Sequence, residues 1–268
     1  MQNLADLNLN IIHLTTCSDT CEIHTHVELV ILNDQTICPV CYLEADTQKL
    51  IEIERQKLET SESLIKFNML HRKSVIQDNK LLDVNFKSFE VKSDEQQRDK
   101  EHMVDVYKRL NNNELINVWL TGKPGIGKSH LSMSLLKALN ASKDRTCLFV
   151  DVDEALRRIK GSFKNKESKY TEEYVINLLS EVDYLVLDDI GAETGNINTE
   201  KEASDWTSRV LRAIINSRQD KVTIFTTNLS SSKIRQMYDE KLVSRMFRDA
   251  VIIKFENEID NRTSNIEF

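Results

Sequence analysis

From position 81 onward, short apolar runs alternate with stretches whose apolar residues recur every three or four positions. The runs lie at 117–121, 146–151, 183–189, 221–227 and 250–255. Runs that are apolar on both sides of a strand suit a buried parallel sheet, and the helical patterns between them supply its covering layers. The pattern predicts one α/β domain over 81–268, built on a five-stranded parallel sheet with helices on both faces. Residues 43–80 read differently. Leu43, Leu50, Ile51, Leu58, Leu64 and Ile65 recur at helical spacing among many charges, with no Gly or Pro to interrupt them. They predict a linker of one or two amphipathic helices, ending at the polar stretch 77–80. Residues 1–42 contain alternating runs such as Val27-Glu28-Leu29-Val30-Ile31-Leu32, which suit strands of a small separate module.

Composition narrows the classes. The chain has 268 residues, with 40% hydrophobic and 29% charged, as in globular rather than disordered proteins. No apolar run approaches the length needed to cross a bilayer, so a membrane location is not expected. Met1 to Thr16 has no Lys or Arg and no unbroken apolar core, so no secretory signal is read there and a cytoplasmic protein is expected. The net charge of −7 argues against wrapping duplex DNA by bulk charge. Any nucleic-acid contact must then come from a local basic segment.

The six glycines and two prolines concentrate where chemistry is expected. Gly122-Lys123-Pro124-Gly125-Ile126-Gly127-Lys128-Ser129 fits G-x-x-x-x-G-K-S/T without a mismatch. Glycines let backbone N–H groups surround phosphate oxygens, where a side chain would block the approach. Lys128 is expected to reach the β- and γ-phosphates of ATP, and Ser129 to ligate Mg²⁺. The helix that starts near Lys128 aims its positive end at the anion. His130 follows directly and is grouped with the residues contacting nucleotide. Val118-Trp119-Leu120 before the loop and Leu131, Leu135 and Leu139 after it give the strand–loop–helix context that a simple glycine turn lacks.

Tyr184-Leu185-Val186-Leu187-Asp188-Asp189 is an apolar strand that ends in two acids, placed where ligands bind in α/β sheets. Asp188 is expected to hold Mg²⁺ through water, and Asp189 to polarise the attacking water. Asn228, after Thr226-Thr227, ends the next apolar strand and would orient that water beside the γ-phosphate. Arg245 and Arg248 precede the last run, and one of them could reach a neighbouring subunit's nucleotide.

Together these residues resemble the AAA+ ATPases, and among them the DnaC/DnaI-type replicative helicase loaders and the IstB transposition helpers. The resemblance covers most of 81–268. Its most specific part is Leu185-Val186-Leu187-Asp188-Asp189-Ile190-Gly191-Ala192-Glu193, because most other AAA+ proteins carry Asp-Glu where this clade has Asp-Asp. Residues 122–131 and Thr226-Thr227-Asn228-Leu229 match as well. The resemblance implies an AAA+ P-loop core, with Asn228 as sensor 1, Arg245 as the arginine finger acting between self-associated subunits, and Arg262 as sensor 2. It also implies that Phe86-Lys87-Ser88-Phe89 is the aromatic segment ahead of the core. The chain stops soon after its last strand, as in this clade, without the C-terminal helical lid of most AAA+ proteins.

Four of the five cysteines lie between Cys17 and Cys41. Cys21-Glu22-Ile23-His24 and Cys38-Pro39-Val40-Cys41 form two short-spaced pairs that can close a tetrahedron around Zn²⁺. Four protein ligands leave no open position, so such a site would be structural, in a zinc-ribbon-like module. Cys17 or His26 could take the place of one ligand. Cys147 reads as a core residue. Some loaders carry a comparable zinc module that grips the helicase, which implies a helicase-binding role for 1–42.

The segment 157–170 carries Arg157, Arg158, Lys160, Lys164, Lys166 and Lys169, interleaved with Phe163 and Tyr170. Cations with aromatic rings suit single-stranded DNA, although a solvated helix face has the same composition. In the loaders the corresponding insertion contacts single-stranded DNA. The functional expectation is an ATP-dependent loader that places a hexameric, DnaB-type replicative helicase on single-stranded DNA. The alternatives are an IstB-like transposition helper on duplex DNA and an ATP-switched adaptor with little hydrolysis.

Overall fold

The structure is a computed structural model that describes residues 15–32, 35–165, 167–194 and 203–256. Contacts divide the chain into two units, at Glu62 and Ser63.

In the first unit, β1 (Thr15–Thr20), β2 (Glu28–Leu32) and β3 (Gln35–Ile37) form an antiparallel sheet in sequence order. A turn at Cys21–Val27 closes with Cys21 N–H donating to the Val27 carbonyl at 3.0 Å. A single helix, α1 (Pro39–Lys73), then begins at the one residue type whose missing N–H costs nothing in a first turn. It is one 35-residue helix, because nothing between Pro39 and Lys73 breaks it. Within the first unit its Leu43, Leu50, Ile51 and Leu58 are exposed.

The second unit is built on five parallel strands in the order β5-β6-β7-β4-β8. They are β4 (Asn117–Thr121), β5 (Cys147–Asp151), β6 (Tyr184–Asp188), β7 (Val222–Thr227) and β8 (Ala250–Lys254). Each coincides with one of the five apolar runs. Alternation sends Trp119, Leu148, Leu185 and Phe225 to one core and Val118, Phe149, Val186 and Ile224 to the other. The second core includes residues of α2 (Asp94–Asn111) and α3 (Lys128–Asn140). The first includes residues of α4 (Val152–Ser162), α5 (Glu172–Glu181), α6 (Asp205–Asn216), α7 (Ser231–Met237) and α8 (Glu240–Met246). Trp119 stacks between Phe225 and Phe247, with centroids 4.5 and 4.4 Å away, and its indole N–H donates to the Met246 carbonyl at 3.0 Å. That bond fixes the end of α8 against β4. Cys147 is fully buried, and burial pushes its thiol pKa up.

Residues 63–80 pack with the sheet rather than standing apart as a linker. Val75 pairs with the edge of β5, its N–H donating to the Phe149 carbonyl at 2.9 Å and its carbonyl accepting from Asp151 N–H at 2.8 Å. The edge strand has unpaired backbone groups, and a short extended segment satisfies them. No described helix is long and apolar enough to cross a membrane.

Candidate functional site: a nucleotide cavity and a Cys/His cluster

Strands β4, β5, β6 and β7 all end at the same sheet edge, and their loops converge on a cavity of about 590 Å³. Pro124, Gly125, Gly127, Lys128, Ser129 and His130 line it beside Asp151, Asp188, Asp189, Thr226 and Asn228. Thus residues from the ends of four separate strands meet in one place.

Helix α3 starts unlike most of its neighbours. Ser93, Asp151, Thr171, Ser204, Ser230 and Asp239 cap other helices with side-chain oxygens, whereas Gly127 caps α3 with φ +103° and no side-chain bond. The first N–H groups of α3 are left for an anion. Only glycine fits at 127: a Cβ there would lie 2.6 Å from the Phe89 ring.

Lys128 Nζ donates to the carbonyls of Gly122 and Lys123, at 2.8 and 2.6 Å, and to Asn228 Oδ1 at 2.7 Å. Asn228 Nδ2 donates in turn to Asp189 Oδ1 at 2.7 Å. Asp189 holds a left-handed φ of +58°, a conformation that costs energy for a residue with a side chain and concentrates at functional sites. Its backbone N–H donates to Thr226 Oγ1 at 2.8 Å, and the same hydroxyl donates to Asp188 Oδ1 at 2.6 Å. Ser129 Oγ donates to both Asp188 oxygens, at 2.9 and 3.0 Å.

Burial pushes the Asp188 carboxyl up to about 6, with the charges of Asp189 and Asp151 adding to the effect. Burial likewise raises Asp151. Carboxylates crowded this way with a hydroxyl are relieved by a cation, so the donor set fits Mg²⁺. Asp151 and Thr226 were not assigned roles from the sequence. An acid at the end of the 146–151 run was the available signal for the first. For Thr226 there was none, because its hydroxyl matters only once β6 and β7 are neighbours.

Ile76, Gln77, Asp78, Leu81, Ser88, Phe89, Glu90 and Lys92 supply much of the remaining wall. Gln77 and Asp78, in the stretch 77–80 that the sequence suggests as a boundary, therefore line the cavity. Arg245 lies on α8, outside the cavity lining, and its guanidinium makes no hydrogen bond or ion pair among the described residues. Arg248 is engaged, donating to Gln219 Oε1 at 3.0 Å and pairing with Asp249. Arg262 lies outside the described residues.

In the first unit, one ligand atom each from Cys21, His24, Cys38 and Cys41 lies within 4.8 Å of the others. Cys21 Sγ and Cys41 Sγ are 3.7 Å apart, and His24 Nδ1 lies 3.8, 3.7 and 3.3 Å from the sulfurs of Cys21, Cys38 and Cys41. Two thiolates each ~2.3 Å from a tetrahedral ion stand ~3.8 Å apart. The cluster thus has the dimensions of a Zn²⁺ site, and Cys17 and His26 are not part of it.

The basic segment divides. Arg157 and Arg158 are both held by the buried Glu154, with Nε to carboxylate distances of 2.8 and 2.6 Å. Arg158 also bonds the Tyr170 hydroxyl at 3.0 Å. Lys160 instead lies 5.0 Å above the ring of Trp206, a residue of α6 that Phe163 meets edge-on at 5.9 Å. Glu172 fixes the indole by accepting from its Nε1 at 2.8 Å. Trp206 was missed in the sequence because it lies far along the chain from the lysines. Lys166 lies outside the described residues.

A family model described as IstB-like ATP binding protein matches residues 49–259. The chain belongs to that family. Among its relatives, the replicative helicase loader DnaC of Escherichia coli (strain K12) is 29% identical over 128 residues, covering 47% of this chain and 48% of that protein. The chain therefore spans about half the length of the E. coli relative that it matches. DnaC of Buchnera aphidicola subsp. Acyrthosiphon pisum is 24% identical over 214 residues, covering 72% and 82%. The crystal structure of the DnaC helicase loader superposes with a TM-score of 0.55 at 25% identity, over 67% of this chain and all of that one. This IstB-like protein thus has the AAA+ P-loop core expected from its motifs, and its cavity is that of an ATP-binding protein.

Proposed function

We propose that this protein is an ATPase that loads a hexameric, DnaB-type replicative helicase onto single-stranded DNA. The supporting observation is the chain of contacts from Lys128 through Asn228 to Asp189, in a core similar to that of proteins named as DnaC loaders. In this reading Lys128 binds the β- and γ-phosphates, and the backbone of 122–129 cradles them. Ser129 and Asp188 hold Mg²⁺, which supplies neutralisation of the developing phosphate charge. Asp189 polarises the attacking water and Asn228 orients it. Arg245, unengaged among the described residues, reaches the nucleotide of a neighbouring subunit, and Arg262 senses the nucleotide within the chain.

Residues 1–42 form the helicase-binding module around Zn²⁺, 43–62 connect it, and the unit that begins at Ser63 carries the ATPase. Lys160, Lys164 and Lys169, with Phe163 and Trp206, form the track for single-stranded DNA. Aromatic faces stack bases while ammonium groups meet phosphates. The net charge of −7 leaves little attraction for duplex DNA elsewhere on the chain. The protein acts in the cytoplasm, where replication helicases work.

The test is a loading assay. The full chain is mixed with a replicative helicase from the same organism, and helicase retained on circular single-stranded DNA is measured with and without ATP. The expected result is ATP-dependent retention that fails in Lys128→Ala. No complex with the helicase, or a preference for duplex DNA, would instead favour a transposition helper.

A further inference from the structure

Helix α3 reaches beyond the phosphate loop. His130 and Lys137 stand two turns apart and so share one face of the helix. Both grip the segment that precedes the sheet. His130 Nε2 lies 3.1 Å from Ser88 Oγ and 3.2 Å from the Asn85 carbonyl, and the Lys137 ammonium donates to the Leu82 carbonyl. The His130 ring also meets Phe89 edge-on, at 5.2 Å and 77°. Phe89 in turn lies against the phosphate loop, close enough to Gly127 to exclude a Cβ. Residues 82–89 therefore form a strap fastened to the same helix that carries the phosphate site.

The strap matters because a nucleoside triphosphate has two ends of different chemistry. Its phosphates want N–H groups and cations, which 122–129 provide. Its base wants a flat apolar wall, and Ile76, Leu81 and Phe89 are apolar side chains that line the same cavity. The geometry points to His130 as a positioning residue that latches the 82–89 strap, and with it Phe89, in place as the wall for the purine base. In this role His130 contacts no phosphate, unlike the role its position in the motif suggests. Its Nε2 is committed to the strap. The inference rests on the cavity holding ATP.

The experiment compares ATP with inorganic tripolyphosphate, which has the phosphates and no base. Affinities for both are measured on the full chain by competition with a fluorescent ATP analogue, for wild type, His130→Ala, Phe89→Leu and the double variant. Losing the hydrogen bond and the ring contact should weaken ATP binding roughly tenfold in each single variant. Tripolyphosphate affinity should stay within about twofold, because Lys128 and the backbone of 122–129 are untouched. The double variant should be no worse than the singles, since both act through one wall. Equal losses for ATP and tripolyphosphate in His130→Ala would mean a direct phosphate contact and overturn the inference. So would additive losses in the double variant, or unchanged ATP affinity. If His130→Ala does not fold, Phe89→Leu alone decides, by weakening ATP and sparing tripolyphosphate or by failing to. A wild-type chain that binds no ATP would overturn the nucleotide reading itself, before any variant is compared.

Discussion

The Lys128 ammonium donates to the Asn228 carboxamide oxygen at 2.7 Å, joining two residues one hundred positions apart. Through Asn228 Nδ2 the contact continues to Asp189, so the phosphate loop, the acidic strand end and the neighbouring strand end are linked. A γ-phosphate would compete for Lys128 and free Asn228 to face the water that Asp189 polarises. Removing the lysine should weaken ATP binding at least about 100-fold, the loss of two charged hydrogen bonds. The melting temperature of Lys128→Ala should stay near that of wild type, since the lysine bonds loop carbonyls and packs in neither core. Calorimetric titration with ATP checks the first outcome and a thermal melt the second.

Asp189→Asn should keep ATP binding and lower turnover by about 10²–10⁴-fold, because it keeps size and removes the charge that polarises water. Thr226→Val should also lower turnover while sparing binding. Its hydroxyl bonds both Asp188 and the Asp189 backbone. Thr226→Ser should restore activity. Steady-state phosphate release separates these variants, and a Thr226→Val enzyme with full turnover would remove that residue from the machinery.

Metal analysis of gently purified protein should give one zinc per chain. Cys38→Ser should release it, because three ligands cannot close the tetrahedron that the cluster dimensions describe. Chelation should unfold the first unit, whose small sheet has little core of its own, and leave ATP affinity nearly unchanged. Clearly less than one equivalent of zinc would count against the site.

Single-stranded DNA should lose roughly tenfold in affinity when Trp206 becomes Ala, the cost of one base stack. Lys160→Ala should reduce the slope of log affinity against log salt by about 0.7, one phosphate contact. Arg157→Ala should lower that slope by less, because Arg157 is ion-paired with Glu154. Salt titrations by fluorescence anisotropy distinguish the two. An equal fall in slope for Arg157→Ala would place the track differently.

Asp99 of α2 is buried with one carboxylate oxygen unpartnered among the described residues, and burial raises its pKa to about 6. A carboxyl whose folded pKa exceeds its unfolded value stabilises the protein fully below the unfolded pKa of about 3.9, and that contribution is lost as pH rises through the folded value. Asp99→Asn should therefore raise stability at pH 7.5 by on the order of 2 kcal/mol and flatten the dependence between pH 4 and 7. Denaturant unfolding at pH 4.5 and 7.5 measures both. No gain at pH 7.5 would mean that the carboxylate finds compensation elsewhere.

What the sequence determined by itself was local in origin. The five apolar runs became the five strands because a strand buried on both faces must be apolar throughout, a requirement visible in any short window. The phosphate loop was legible for the same reason: its glycines, Lys128 and Ser129 are adjacent along the chain. The Cys and His pairs were legible through spacing alone. Tertiary structure decided what depends on neighbours distant in sequence. Ser63 to Lys80 joined the second unit because Val75 satisfies the open edge of β5. Thr226 gained its place only through the pairing of β6 with β7, and Trp206 through the approach of α6 to Lys160. Arg157 and Arg158, part of one basic run in the sequence, separated from the lysines because Glu154 is buried and needs both guanidinium groups as partners. Composition counts charges, but only packing determines which of them are already paired.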